Sequence, residues 1–267
     1  MDTMQTQSHI VKQKTGADDP ELQANLQEAL GQVAPADVIA IADELAERHA
    51  RLFSRCFDSA QHRLVADSVS LASSFADIAS AVAHTKANAR TLVNYFAQGD
   101  YQLIRDLLEG ESPAPVRVAV FVEKLNALDT RLALELATGL LHNTFPSQHW
   151  LWTRWLWDPT VGTGILPLLA GSIHNLVADN LADGYVRVGA VTAMSVKFGE
   201  GTGLFVDELM SNEKRAPFAN SAFLACAYSV YLYGTTSWRL SREFNGLLPT
   251  LPNMARRLLG LKKSGNS

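Results

Sequence analysis

Four of the chain's five tryptophans stand within eight positions of one another, in SQHWLWTRWLWDP (147–159). Each such side chain buries roughly 150–250 Å² when it leaves water, so this stretch must be enclosed by other parts of the chain. Read as a helix, it cannot be enclosed from one side only. Trp150, Arg154 and Trp157 fall on one face, Trp152 and Leu156 on a second, Leu151 and Trp155 on a third. A helix apolar all round is surrounded by neighbours or lies in a non-aqueous environment. Asp158-Pro159 should end it, because a residue before proline is pushed out of the helical region. Enclosing such a segment takes apolar mass on several sides, and 267 residues, 47% of them hydrophobic, supply it.

The periodicity of the remaining sequence is mostly helical. Val38, Ile41, Ala42, Leu45, His49, Leu52, Phe53 and Cys56 make one stripe at spacings of three and four between Asp37 and Phe57. The opposite face carries Glu44, Glu47, Arg48, Arg51 and Arg55, with Glu44–Arg48 and Glu47–Arg51 set as i,i+4 pairs. Upstream, Asp19 and Pro20 have the types that cap and open a helix. Residues 61–97 continue as helix, either unbroken or interrupted near His84, 100–109 form a short one, and GESPAP (110–115) reads as a loop. A long helix should then run from Pro115 to Leu141. In the second half, closely spaced glycines divide an apolar sequence. The run 185–198 fits either a strand or a buried helix, and a last helix covers 252–261. The expected architecture is mainly α: a bundle of about eight to ten helices with a Gly-rich apolar second half. Residues 1–17 read as a disordered lead-in, 18–262 as a single helical domain, and 263–267 as a flexible tail.

Composition excludes some functions. A net charge of −4, with Lys and Arg scattered among acids, offers no basic track for nucleic acid. The opening residues lack the apolar segment of a secretory signal. Cys56 and Cys226 stand apart in apolar surroundings, as buried reduced thiols do. These features point to a cytoplasmic protein, with peripheral attachment to the inner membrane as a variant. Two uncharged runs, 159–178 and 216–238, are long enough to raise the question of a membrane span. The second contains Pro217, Asn220 and several hydroxyl side chains, so a buried core helix or an interfacial helix is the preferred reading.

Local motifs for chemistry are sparse. GEGTG (199–203) lacks the GxGxxG spacing and reads as a turn in preference to a phosphate cradle. No ExxH, HExxH, HxH or HxxxH occurs, so a helical di-metal enzyme has no local signature, and the motifs name neither a metal nor a cofactor. His84 shares a face with Asp77 and points to solvent. DNLAD (179–183), close to His174, has a DxxxD spacing, but its only companion, DELAE (43–47), lies on the charged face of its helix. The best buried polar constellation is Glu135 with His142, on the seam Leu125, Leu128, Leu132, Glu135, Gly139, His142, joined by His49 from the earlier stripe. These three are the candidate acid/base or metal-binding residues. The plainer reading is a structural network, with Glu135 paired to Arg131 and His142 capping its helix beside Asn143.

Two functional readings follow. In the first, the chain is a helical binding or interaction protein. His149, Trp150, Trp152, Arg154, Trp155 and Trp157 then form an apolar site for a hydrophobic small molecule, a protein partner or a membrane surface. In the second, it is a helical enzyme built on His49, Glu135 and His142, with His149 or His174 added. Convergence of those side chains around one pocket would favour the enzyme.

Overall fold

The stripe between Asp37 and Phe57 becomes helix α1 (Pro35–Cys56), with Val38, Ile41, Ala42, Leu45 and Leu52 buried in the core. Proline opens it at a position where its missing N–H costs nothing, and the Asp37 carboxylate accepts the Ala34 amide at 3.2 Å. The computed structural model describes residues 24, 28–56, 79, 88–96, 101–172, 175–237 and 249–261. The Asp19-Pro20 start, nearly all of the 61–97 helix, His84 with Asp77, His174, Trp238, the lead-in and the tail lie outside them.

Ten helices are present among the described residues. After α1 come α2 (Ala89–Phe96), α3 (Tyr101–Glu109), α4 (Ala114–Lys124) and α5 (Thr130–Thr144). Then follow α6 (Ile165–Ala170), α7 (Leu181–Gly201), α8 (Asp207–Met210), α9 (Ala216–Ser237) and α10 (Leu251–Leu258). Among the described residues there is no strand, only an isolated bridge between Asp158 and Thr163. α9 is the hub and packs against α1, α10, α7, α8 and α6. Its segment from Ala222 to Ala227 is buried without interruption. No helix among the described residues is long and apolar enough to cross a membrane. The uncharged run from 216 is thus the central core helix.

Two sequence expectations change, one open alternative is decided, and the turn reading of GEGTG holds. The single helix expected from Pro115 to Leu141 is two, because the Asp129 carboxylate accepts the amides of Arg131 and Leu132 at 3.0 and 3.1 Å and starts a new helix. Restarted there, α5 is turned so that every residue from Leu132 to Thr144 is buried. Residues 185–198 are helical: the Asn180 side chain caps α7 through the Asp183 amide, and no strand partner competes. GEGTG therefore ends a helix, with Gly203 at φ 71°, and offers no N-terminal amides from α7 to an anion. Arg48 is not on a solvated face. α10 packs across α1, so the guanidinium is buried and donates to the Leu259 carbonyl at 2.7 Å, while Glu44 pairs with Arg256 at 2.7 Å. Burial lowers the Arg48 pKa to about 10, with Arg51 adding to the effect.

Candidate functional site

The tryptophan segment is not the expected helix. From His149 to Thr153 the backbone has no regular secondary structure, and a turn follows at Arg154–Leu156. Pro146 keeps Phe145 out of the helical region (φ −129°, ψ 67°) directly after α5 ends. Burying non-helical backbone requires a partner for each N–H and C=O, and α5 provides several. His142 Nδ1–H donates to the His149 carbonyl at 2.8 Å, Thr138 Oγ1 accepts the Trp152 amide at 3.0 Å, and Glu135 Oε1 accepts the Arg154 amide at 3.0 Å. Residues 142, 138 and 135 lie on one helical face. The segment runs back along it, antiparallel, and is pinned at each turn. Further on, the carbonyls of Trp155 and Leu156 accept the amides of Ile165 and Leu166, both at 3.0 Å.

This pinning explains why a carboxylate stands in the core seam. Replacing Glu135 with Leu leaves the Arg154 amide without its acceptor, at an expected cost of about 1–3 kcal/mol. Glu135→Gln keeps an acceptor and should cost clearly less. Urea denaturation of the two variants beside the parent measures the difference.

The rings are seated on α7. Trp150 stacks on Tyr185 (centroids 4.8 Å apart, planes at 22°), and its indole N–H donates to the Tyr185 carbonyl at 2.9 Å. One turn along, a Cβ on Gly189 would lie 2.0 Å from Trp150 Cζ2, and one on Gly184 would lie 2.5 Å from Trp152 Cη2. Glycines of the second half are therefore seats for tryptophans of the middle. Trp152 Nε1–H donates to the Trp157 carbonyl at 3.0 Å, and Trp155 faces Tyr228 of α9 across 6.1 Å.

Between the start of α5, the tryptophan segment and residues 176–181 lies an open cleft of about 310 Å³. Leu134, Trp152, Trp157, Pro159, Leu176 and Leu181 make its walls mostly apolar, and Ala178 sits among the remaining lining residues. At one side stands a polar partition of Glu135, Thr153, Arg154 and Asp158. The same four residues line a second cavity of about 460 Å³, completed by Trp155, Tyr228 and Arg257 among others. Asp158 is the anchor of the partition. It accepts the Thr160 amide and hydroxyl at 3.0 and 2.6 Å and pairs with Arg154 Nε at 3.2 Å and Arg131 at 3.6 Å. Burial works against this carboxylate, but Thr160, Arg131 and Arg154 outweigh it and hold its pKa below the usual range.

The three candidate acid/base residues do not come together. His49 and His142 meet over one ring, Phe218, at 5.7 and 5.8 Å. Glu135 stands two helical turns, about 10 Å, from His142 along α5. His49 Nδ1–H donates to the Asn143 carbonyl at 2.6 Å. With its Nδ1 proton given to His149, His142 Nε2 accepts from Ser221 Oγ–H at 3.1 Å. Burial above all lowers the His142 pKa to about 4, and the charges of Arg48, His149 and His49 add to it against the His149 carbonyl. His149 is also lowered to about 4, by burial and by Arg117. His49 lines a third, open groove of about 1060 Å³ with Asp43, Glu47, Lys214 and Arg215, whereas His142 lines none of these three cavities.

Among the described residues no group of three or more His, Cys, Asp or Glu could hold a metal ion. Asp183 pairs with Arg187 at 2.9 Å, and Asp43 pairs with Arg215 at 2.8 Å, so the two DxxxD-like acids serve separate ion pairs.

Of the six residues expected to form the apolar site, Trp152, Arg154 and Trp157 line the cleft, and Trp155 lines the second cavity with Arg154. Trp150 is spent on α7, and His149 packs edge-on against Phe145 at 6.2 Å. Sequence reading missed Arg131, Asp158 and Arg257. Asp158-Pro159-Thr160 does carry a turn signal, but nothing local says that a cleft opens beside it. Comparison of the chain with protein-family models, curated proteins and solved structures returned no match.

Proposed function

We propose that this chain is a helical binding protein whose tryptophan-walled cleft holds a small hydrophobic molecule. One observation carries this reading: an open cleft of about 310 Å³ has mostly apolar walls with polar groups set among them. That combination is what small-molecule sites share, and the size falls at the lower end of their usual range. A protein partner or a membrane surface would instead need a broad apolar exterior. Among the described residues, the exposed large apolar side chains are the pair Val116 and Val120 on α4 and single ones elsewhere, such as Val161, Val177 and Met210. Cys226, a free thiol whose pKa burial raises to about 12, supports a cytoplasmic setting.

Octanol is a suitable first probe. Tryptophan emission should change saturably as it is added, because Trp152 and Trp157 form the wall. Ala178→Phe places a ring in the cleft from its partly exposed rim and should weaken binding about tenfold or more, through loss of apolar contact area. The variant should keep the parent's melting temperature. Unchanged octanol binding in that variant would remove the cleft as the site.

A further inference from the structure

The second cavity shares the polar partition with the cleft, and its lining is unusual in which polar groups are already engaged. The two carboxylates, Glu135 and Asp158, are each only 3% exposed and serve as internal anchors, Glu135 for a backbone amide and Asp158 for four donors. The donors are differently placed. Arg154 has a side chain 54% exposed and uses only Nε on Asp158, which leaves its terminal nitrogens free to bind. Arg257, in the last turn of α10, is exposed and makes no ion pair among the described residues, whereas its neighbour Arg256 is committed to Glu44.

Two more donors on this lining are buried without an acceptor among the described residues: the Thr153 hydroxyl (3% exposed) and the Trp155 indole N–H (8% exposed). A buried donor left unpaired is unfavourable, so each favours an acceptor arriving from outside. Tyr228, held protonated by burial, adds a hydroxyl beside Arg154. Donors thus gather around a cavity whose two carboxylates already anchor neighbouring groups.

Resting on the cleft reading above, we infer that the cavity behind the partition receives the anionic head, carboxylate or phosphate, of an amphiphile whose apolar tail lies along the tryptophan cleft. Arg154 and Arg257 bind the head, and the neutral donors around them complete its coordination. Charge-assisted hydrogen bonds of this kind are roughly twice as strong as neutral ones.

The test compares octanoate, octyl phosphate, octanol and octylamine by calorimetry at low ionic strength, on the parent chain and on Arg257→Gln and Arg257→Lys. Octanoate or octyl phosphate, or both, should bind about tenfold more tightly than octanol, and octylamine more weakly. The carboxylate-to-phosphate ratio identifies the head. Arg257→Gln should remove most of the anion's advantage and leave octanol unchanged, and Arg257→Lys should restore part of it. Equal binding of octanol and both anions overturns the inference and leaves the cleft standing. So does an anion advantage that survives Arg257→Gln, or tighter binding of octylamine. If none of the four binds, the cleft reading and the inference fall together.

Discussion

Gly189→Ala should destabilise the protein, although the same substitution in an ordinary helix interior stabilises it. Alanine gains about 0.5–1 kcal/mol over glycine by helix propensity. Here the new methyl would lie 2.0 Å from Trp150 Cζ2, inside the ring's contact distance. The ring has little room to retreat, because it is stacked on Tyr185 and its N–H is held by the Tyr185 carbonyl. Overpacking of this kind costs about 1–3 kcal/mol. The collision involves a rigid ring, so the upper end applies and outweighs the propensity gain. Gly234, on α9, has nothing within 4 Å of its virtual Cβ, and Gly234→Ala should show the uncompensated gain. Denaturant titrations of the two variants should therefore differ in sign. A chain of this size moves its Tm by about 2–4 °C per kcal/mol, so melting curves resolve the pair as well. Red-shifted tryptophan emission in Gly189→Ala would mark Trp150 as the displaced ring.

The second large effect is on acid stability. His142 is buried, neutral and held at both ring nitrogens, and its pKa in the fold is about 4 against an ordinary 6.5. A base whose pKa is lowered on folding binds more protons when unfolded, over the interval between the two values. Folding stability therefore rises with pH through that interval and falls as the solution is acidified from pH 6.5 to 4. The full difference corresponds to about 3 kcal/mol. The groups that set it are the enclosing core, Arg48, His49 and His149, and the last is shifted in the same direction. The Asp158 pKa is depressed as well, and the stability this carboxylate contributes is lost at lower pH still. The useful quantity is thus the difference between parent and His142→Gln across pH 4 to 7. The variant should be less stable at pH 7, having lost a pinned imidazole, and should show a flatter slope. Parallel slopes would mean that His142 is not held neutral in the folded protein.

Much of the helical architecture was legible. The α1 stripe identifies its core positions because burial there follows a helical period, and the uncharged run of α9 points to a buried core helix or an interfacial one, of which the core helix is found. The tryptophan segment misled for a physical reason. Trp150, Trp152, Trp155 and Trp157 are so dense that a helical period and a strand-like alternation both fit, and periodicity cannot choose between them. What decides is the row Glu135, Thr138 and His142, which satisfies non-helical backbone from a neighbouring helix. The sequence singled out Glu135 and His142 correctly as buried polar residues, but not what they hold. Arg48 misled likewise: its partner, the Leu259 carbonyl, is 211 positions away, and no local pairing rule reaches that far. The glycines of α7 could be read as sites of close approach, but the rings that fill them became visible only with the fold.

Whether a ligand meets Trp152 and Trp157 decides most directly if the cleft is a binding site. Indole N–H resonances of the five tryptophans, assigned by single substitution and followed during octanol titration, report each ring separately. Both wall tryptophans should shift saturably with one dissociation constant, while Trp150, tied to the Tyr185 carbonyl, should move little. Saturable shifts that leave Trp152 and Trp157 unmoved, or no shift at any indole, would contradict the assignment of the cleft as the binding site.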